Sequence, residues 1–305
     1  MARVSQVEEN IYEIHPELNF MFSLSYLVLG ERAALIDPGS ATQADIVLRA
    51  IEEILDFDLD SLSYIIPTHL HIDHAGGVGH LARRFPQVRI PVYERHIRYA
   101  IDPARLIDGN KQTFGENFAD KFGTILPVPE EQIIAVDGGD TIDLGGRQLK
   151  VVYSRGHANH HFCLHDDKSG GLFCGDALGM YYPEVDGVVI ICPEGFDLNL
   201  SLQTIEQLRS LAPQVLFYAH EGTGRETDDL MRRAAVELRD CGDIILAALK
   251  TGEGSKQIEE RLNQYFKENV SKELKYEYMY LDLTVAGYRR YFQKCGEIQL
   301  SGGTN

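Results

Sequence analysis

Cysteine is sparse and unpatterned in this chain: five in 305 residues, an odd number with no CxxC spacing. Such usage argues for free thiols in a reducing compartment and sets the expected location as cytoplasmic. Basic residues are also short, 29 Lys and Arg against 46 Asp and Glu, for a formal net charge of −17. Nucleic acids and anionic membranes are bound through cations that neutralise phosphate, so neither is an expected partner. No cluster of basic residues with interleaved aromatics offsets that balance. No apolar run approaches the ~18 residues of a membrane span, and the first ten residues lack the apolar core of a signal peptide. Internal repeats and low-complexity tracts are missing as well.

What remains is an ordinary globular composition, 44% hydrophobic and 25% charged, long enough for one large domain or two. Residues 10–15, 22–29 and 32–36 read as strands, and Ala41 to Leu55 as a helix. The apolar stretch Leu62 to Ile66 reads as a strand, followed by a helix over His74–Phe85 and a strand at Val88–Val92. Strand patterns return at 133–136, 140–144, 147–153, 161–165 and 171–175, and a helix at Asn199–Leu211 precedes a strand ending at His220. Pattern alone therefore predicts an α/β fold.

The most informative run is Thr68-His69-Leu70-His71-Ile72-Asp73-His74-Ala75-Gly76-Gly77, with four potential metal ligands in six residues. Imidazole and carboxylate are the ligands that zinc, manganese or iron select. A strand end delivers His69 and His71 to one side, because residues two apart share a face. Asp73 and His74, at the turn into the next helix, approach from another direction, which suits two adjacent ions better than one. Further polar residues end later apolar strands beside glycine: Gly156-His157, Gly175-Asp176 and Ala219-His220-Glu221-Gly222. Strand ends and their loops are where layered α/β folds assemble sites.

In order and spacing, the HxHxDH run, the GH, the GD and the final His resemble the ligand motifs of the metallo-β-lactamase superfamily, over roughly residues 4–224. The resemblance implies a four-layer αβ/βα sandwich holding two divalent ions, zinc first, with iron or manganese as alternatives. His69, His71 and His157 would hold one ion, and Asp73, His74 and His220 the other, with Asp176 bridging. Asp37 and His161 match positions that support the ligands from behind. The implied chemistry is hydrolysis by a hydroxide shared between the ions. Asp73 would orient it and take its proton, and His161, Asp73 or a bound water would protonate the leaving group. His15, His80, His96 and His165 read as ordinary core or surface residues, and His160 stands between the two readings.

Departures from known branches narrow the substrate. Zinc lactamases of one common type place cysteine where Asp176 stands. Acyl-homoserine lactonases of the superfamily carry a tyrosine three residues after the bridging aspartate, where this chain has Gly179; Tyr181 and Tyr182 nearby are expected substrate-pocket residues. The run Leu172 to Gly179 resembles a quinolone-signal thioesterase, whose C-terminal helices, like those of glyoxalase II enzymes, lie beside the metals. A small ester, thioester or lactone is thus the expected substrate. Alternatives are iron redox chemistry, since persulfide dioxygenases bind one iron through positions matching His69, His157 and Asp176, and a signalling role for a vestigial site.

Two regions extend the minimal pattern of residues 1–224. Residues 93–124 read as a helical insertion with Phe114, Phe118 and Phe122 spaced by four, either buried packing or a wall of the substrate pocket. From Arg225 to residue 305, apolar residues recur at helical spacing. Thr251-Gly252-Glu253-Gly254 stops one helix and Ser255 is placed to cap the next. A third helix is expected from Lys272 to Lys294, with Tyr276, Tyr278 and Tyr280 among its aromatics, then a frayed tail. These helices would pack on the sandwich edge, form a homodimer contact, or close over the metals as a cap.

Overall fold

Alternating apolar residues divide the chain into two sheets that face each other, seen in a computed structural model that describes residues 2–18, 21–56, 58–273 and 280–298. The first sheet runs β1 (Ala2–Glu8), β2 (Ile11–Pro16), β3 (Ser25–Leu29), β4 (Ala33–Ile36) and β5 (Leu62–Ile66) in that spatial order. A parallel pair, β6 (Ile90–Tyr93) and β7 (Ile133–Val136), continues it through a bridge between Tyr64 and Arg89. The second sheet contains β8 (Thr141–Asp143), β9 (Gln148–Tyr153), β10 (Phe162–Asp166) and β11 (Gly171–Gly175). A separate hairpin of β12 (Met180–Tyr182) and β13 (Gly187–Val189) interrupts the chain before β14 (Val215–Tyr218) and β15 (Thr223–Gly224), which complete that sheet.

The period-2 alternation of strand side chains builds three apolar layers from these two sheets. Val28, Ile36 and Ile66 meet Val151, Leu164, Phe173 and Phe217 between the sheets. Phe173 and Phe217 stack there, with ring centroids 4.5 Å apart. Leu27, Leu35 and Ile65 point the other way, onto α1 (Ala44–Ile54) and α3 (Val78–Arg84); the one-turn helix α2 (Ile72–Ala75) precedes α3. The His74–Phe85 helix expected from sequence is thus two pieces. On the far side, Cys163, Leu172, Cys174 and Leu216 are covered by α7 (Leu198–Ser210) and α8 (Thr227–Lys250). The architecture is a four-layer αβ/βα sandwich. A buried Arg147 pins the sheets together: Nε and Nη2 donate to the Asp166 carboxylate at 2.8 and 2.7 Å, and Nη1 to the carbonyl of Glu9 at 3.2 Å.

The insertion forms α4 (Ile97–Ile101), α5 (Ala104–Phe114) and α6 (Ala119–Phe122). Phe114, Phe118 and Phe122 do not share one helix face, because Gly115 turns the chain at φ +88°. They meet nonetheless in a small cluster with Ile72 and Ile125.

At the C-terminus, α8 shares its core with the second sheet, and α9 (Ser255–Asn269) and α10 (Leu281–Lys294) pack on α8. Ser255 does not cap α9. Gly254 holds that position, and the Gln257 side chain reaches back to accept its N–H at 2.9 Å. The third helix starts at Leu281 rather than Lys272, after Tyr280 in the left-handed region at φ +44°. Tyr276, Tyr278 and residues 299–305 lie outside the described residues.

Glu237 on α8 is buried, and one carboxylate oxygen accepts the N–H of Ile190 at 2.5 Å. Burial pushes its pKa up to about 8. The unfolded chain loses this proton near the ordinary carboxylate value while the folded chain keeps it. Glu237 therefore destabilises the fold increasingly as pH rises from about 4.5 to about 8. Glu237→Gln keeps an acceptor for Ile190 and removes that penalty. It is expected to stabilise the protein by on the order of 2 kcal/mol more at pH 8 than at pH 5 in denaturant melts. An equal effect at both pH values would contradict a buried, protonated Glu237.

Candidate metal centre

The segments that follow β5, β9, β11 and β14 converge at one edge of the sandwich and bring together all seven candidate ligands, with Asp73 and His74 carried on α2. His69, His71, His157 and Asp176 offer ligand atoms within 4.8 Å of one another, and Asp73, His74 and His220 form a second such group. In the first group, Nδ1 of His71 lies 2.8 Å from Nε2 of His69 and 3.0 Å from Nε2 of His157. Asp176 divides its carboxylate between the groups. Oδ2 stands 3.3 Å from His157 Nε2, while Oδ1 stands 3.2 Å from His74 Nε2 and 3.3 Å from His220 Nε2. Asp73 Oδ2 joins the second group at 3.5 Å from His220 Nε2.

Glycine makes two of these approaches possible. Gly175, at φ +48°, brings the chain so near His161 that a Cβ would lie 2.4 Å from its Nε2. Gly156, at φ +133°, passes within 2.4 Å of the Ser201 Cα on the same measure.

Hydrogen bonds behind two of the candidate ligands fix which nitrogen each offers. His157 donates Nδ1–H to the Ile191 carbonyl at 3.2 Å, leaving the Nε2 lone pair for the centre. His74 pairs Nδ1 with Asp37 Oδ2 at 3.1 Å, again freeing Nε2. Asp37 itself, at φ +48°, is held by the N–H of Thr68 at 2.7 Å and by the Thr68 hydroxyl.

His161 is corrected by the structure as a leaving-group acid. Its Nε2 accepts the N–H of Asp176 at 3.0 Å, so Nδ1 carries the proton and meets Ser154 Oγ at 2.8 Å. Buried and with both nitrogens engaged, His161 positions Asp176 and has no proton to give to the cavity.

The electrostatics suit cations. Burial lowers the pKa of His69 well below the ordinary imidazole value and that of His71 to about 3, so both are neutral donors. Burial would do the same to His74, but Asp176, Asp73 and Asp37 together hold it well above that value. His74 Nε2 and Asp176 Oδ1 are buried and lack a hydrogen bond of proper geometry despite their approach. Two such atoms facing one point, in an imidazole–carboxylate set, fit divalent ions.

A cavity of about 1220 Å³ opens from the cluster, with His71, Asp73, His157, Asp176 and His220 in its wall. Of the predicted pocket residues, Phe114 and Tyr182 line it. Phe118 instead lies in the insertion's apolar cluster, and Tyr181 packs on Tyr218 and hydrogen-bonds Asp186 at 3.0 Å. His160, which stood between the two readings, and His15, read as an ordinary residue, both line the cavity. Nδ1 of His160 accepts the N–H of Leu70 at 3.2 Å, which leaves its proton on Nε2. The GHANHH run was the available signal for His160; for His15 there was none.

Asp37→Ala would free the His74 ring to rotate and unbalance its charge. A fall of about 10- to 100-fold in metal affinity is expected, read by competition with a coloured chelator. Unchanged affinity would mean that Asp37 only shapes its turn.

A family model of the metallo-beta-lactamase superfamily matches residues 18–220. A "metallo-beta-lactamase fold-containing protein" of Sulfurisphaera tokodaii is 29% identical over 203 residues, 65% of this chain and 72% of its own length. A hydroxyacylglutathione hydrolase of Synechococcus sp. is 27% identical over 146 residues, 48% of this chain and 44% of that protein, so the chain spans under half of that relative. Among solved structures, a metallo-beta-lactamase family protein of Thermus thermophilus superposes with a TM-score of 0.71 at 18% identity, covering 95% of each chain. At that identity the superposition speaks for the fold alone. With the family match and the ligand motifs on one sandwich edge, the chain belongs to the metallo-beta-lactamase superfamily.

Proposed function

We propose that the protein is a dinuclear metal-dependent hydrolase acting on a small ester, thioester or lactone. One observation carries this reading: the two oxygens of Asp176 face two separate ligand groups. His69, His71 and His157 would hold one ion and Asp73, His74 and His220 the other. Bound there, divalent ions would polarise the substrate carbonyl and make water a nucleophile at neutral pH. Single-iron redox chemistry would employ only His69, His157 and Asp176. It would leave His74 Nε2 buried without a partner, which favours the dinuclear reading.

The chain's own residues supply the rest. Asp73 lines the cavity and is the carboxylate placed to accept the proton of the attacking water. His160, neutral with its proton on Nε2, replaces His161 as the hydrogen-bond donor available to the departing oxygen or sulfur. Leu70, Ile72, Met180 and Ile191 form apolar wall that holds the acyl group and excludes bulk water.

Asp73→Asn should lower kcat for a neutral aryl ester at least about 100-fold in zinc- or manganese-loaded protein. His160→Gln should lower it about 10-fold or more. Full turnover by the Asp73 variant would defeat the hydrolytic reading, and full turnover by the His160 variant would remove that residue from the reaction.

A further inference from the structure

The wall of the cavity bears on what enters it. Glu184, Glu194, Glu273 and Asp282 are exposed where they line it, and Glu221 is half-buried directly after His220. Among the described residues, none of these five carboxylates makes an ion pair, and Arg105 is the only Lys or Arg in the wall. Some carboxylates elsewhere are matched: Asp228 with Arg209, Glu8 with Arg225, Asp229 with Arg233 and Glu253 with Arg261. These side chains give the cavity wall an excess of negative charge, five unpaired carboxylates against one guanidinium. That wall belongs to a site on separate grounds, since buried His74 Nε2 and Asp176 Oδ1 face the cluster at its floor unpartnered.

Aromatic rings stand among the carboxylates. Phe22, Phe114, Tyr182 and Tyr280 line the same cavity. Burial and then the Glu221 carboxylate raise the pKa of the Tyr182 hydroxyl, so these two side chains share one local field. Carboxylates beside ring faces attract organic cations through charge and the ring quadrupole, and repel anions. The apolar share of the wall, including Leu18, Met21, Leu106 and Leu283, asks for a hydrophobic body.

We infer that the cavity selects an apolar acyl compound bearing a positively charged nitrogen, and discriminates against substrates joined to an anionic carrier. The inference rests on the hydrolase reading and names the substrate class of the same site. It separates this chain from the hydroxyacylglutathione hydrolases, whose named substrate carries carboxylates.

The test uses full-length, metal-loaded protein with three acyl esters of equal chain length: neutral, quaternary-ammonium and carboxylate-bearing. Expected kcat/KM falls in the order cationic, neutral, anionic, with at least about tenfold between the extremes at low salt and convergence as sodium chloride is added. Equilibrium binding gives a readout independent of turnover: octyltrimethylammonium should bind more tightly than octyl sulfate. That ratio should fall at least about threefold in Glu221→Gln and in the double variant Glu184→Gln, Asp282→Asn. Equal or tighter binding of the sulfate, or faster cleavage of the anionic ester, overturns the inference and leaves the hydrolase reading standing. If no ester is cleaved while the ammonium probe still binds selectively, the hydrolase reading fails and the charge selection survives.

Discussion

A carboxylate shared between two sets of histidines is the constraint on which the centre depends. Asp176 lies at the end of β11, in the seam where the two sheets meet, with imidazoles arriving from β5, β9 and β14. Buried carboxylates and imidazoles at such separations are costly unless positive charge balances them. Within the chain, that charge falls on His74 and His220, whose pKa values are raised against the lowering effect of burial by the surrounding aspartates. Divalent ions would supply the same balance and release those protons. The fold thus holds its ligands in a geometry that protons satisfy only in part.

The remainder of the molecule keeps that geometry rigid. Asp37 ties His74 to Thr68, and His161 ties Asp176 to Ser154. The C-terminal helices take part through one segment. Glu237 of α8 accepts the N–H of Ile190, and Thr284 of α10 takes that of Cys192 at 3.3 Å. Between them, the Ile191 carbonyl orients His157. The same helices cover the outer face of the second sheet, and α10 places Asp282, Leu283 and Ala286 in the cavity wall. They form part of the sandwich and of the site together.

The clustering of the seven candidate ligands was legible in the sequence because they follow apolar strands, close to a glycine or within the HxHxDH run. Pattern alone reached an α/β fold, and the layered sandwich came from the family resemblance; the structure shows its physical basis, since alternation at Leu27–Val28 or Leu172–Phe173 places neighbours in different cores. Other features depend on tertiary contact and left no local trace. Phe114, Phe118 and Phe122 suggest one helical stripe, yet Gly115 breaks the helix and packing reunites the rings. The role of His161 turned on the backbone N–H of Asp176, which spacing does not reveal. The cavity wall was the least legible part. It gathers Leu18, Arg105, Glu184, Glu221 and Asp282 from segments far apart in the chain, and its acidity appears only when they are assembled.

The central claim is that two ions are held by seven side chains with Asp176 between them. The most direct test is elemental analysis of wild-type and Asp176→Ala protein, each equilibrated with excess zinc or manganese and then freed of unbound metal. The account predicts about two ions per wild-type chain and a substoichiometric residue in the variant. One ion per chain in the wild type, or two in the variant, would contradict it.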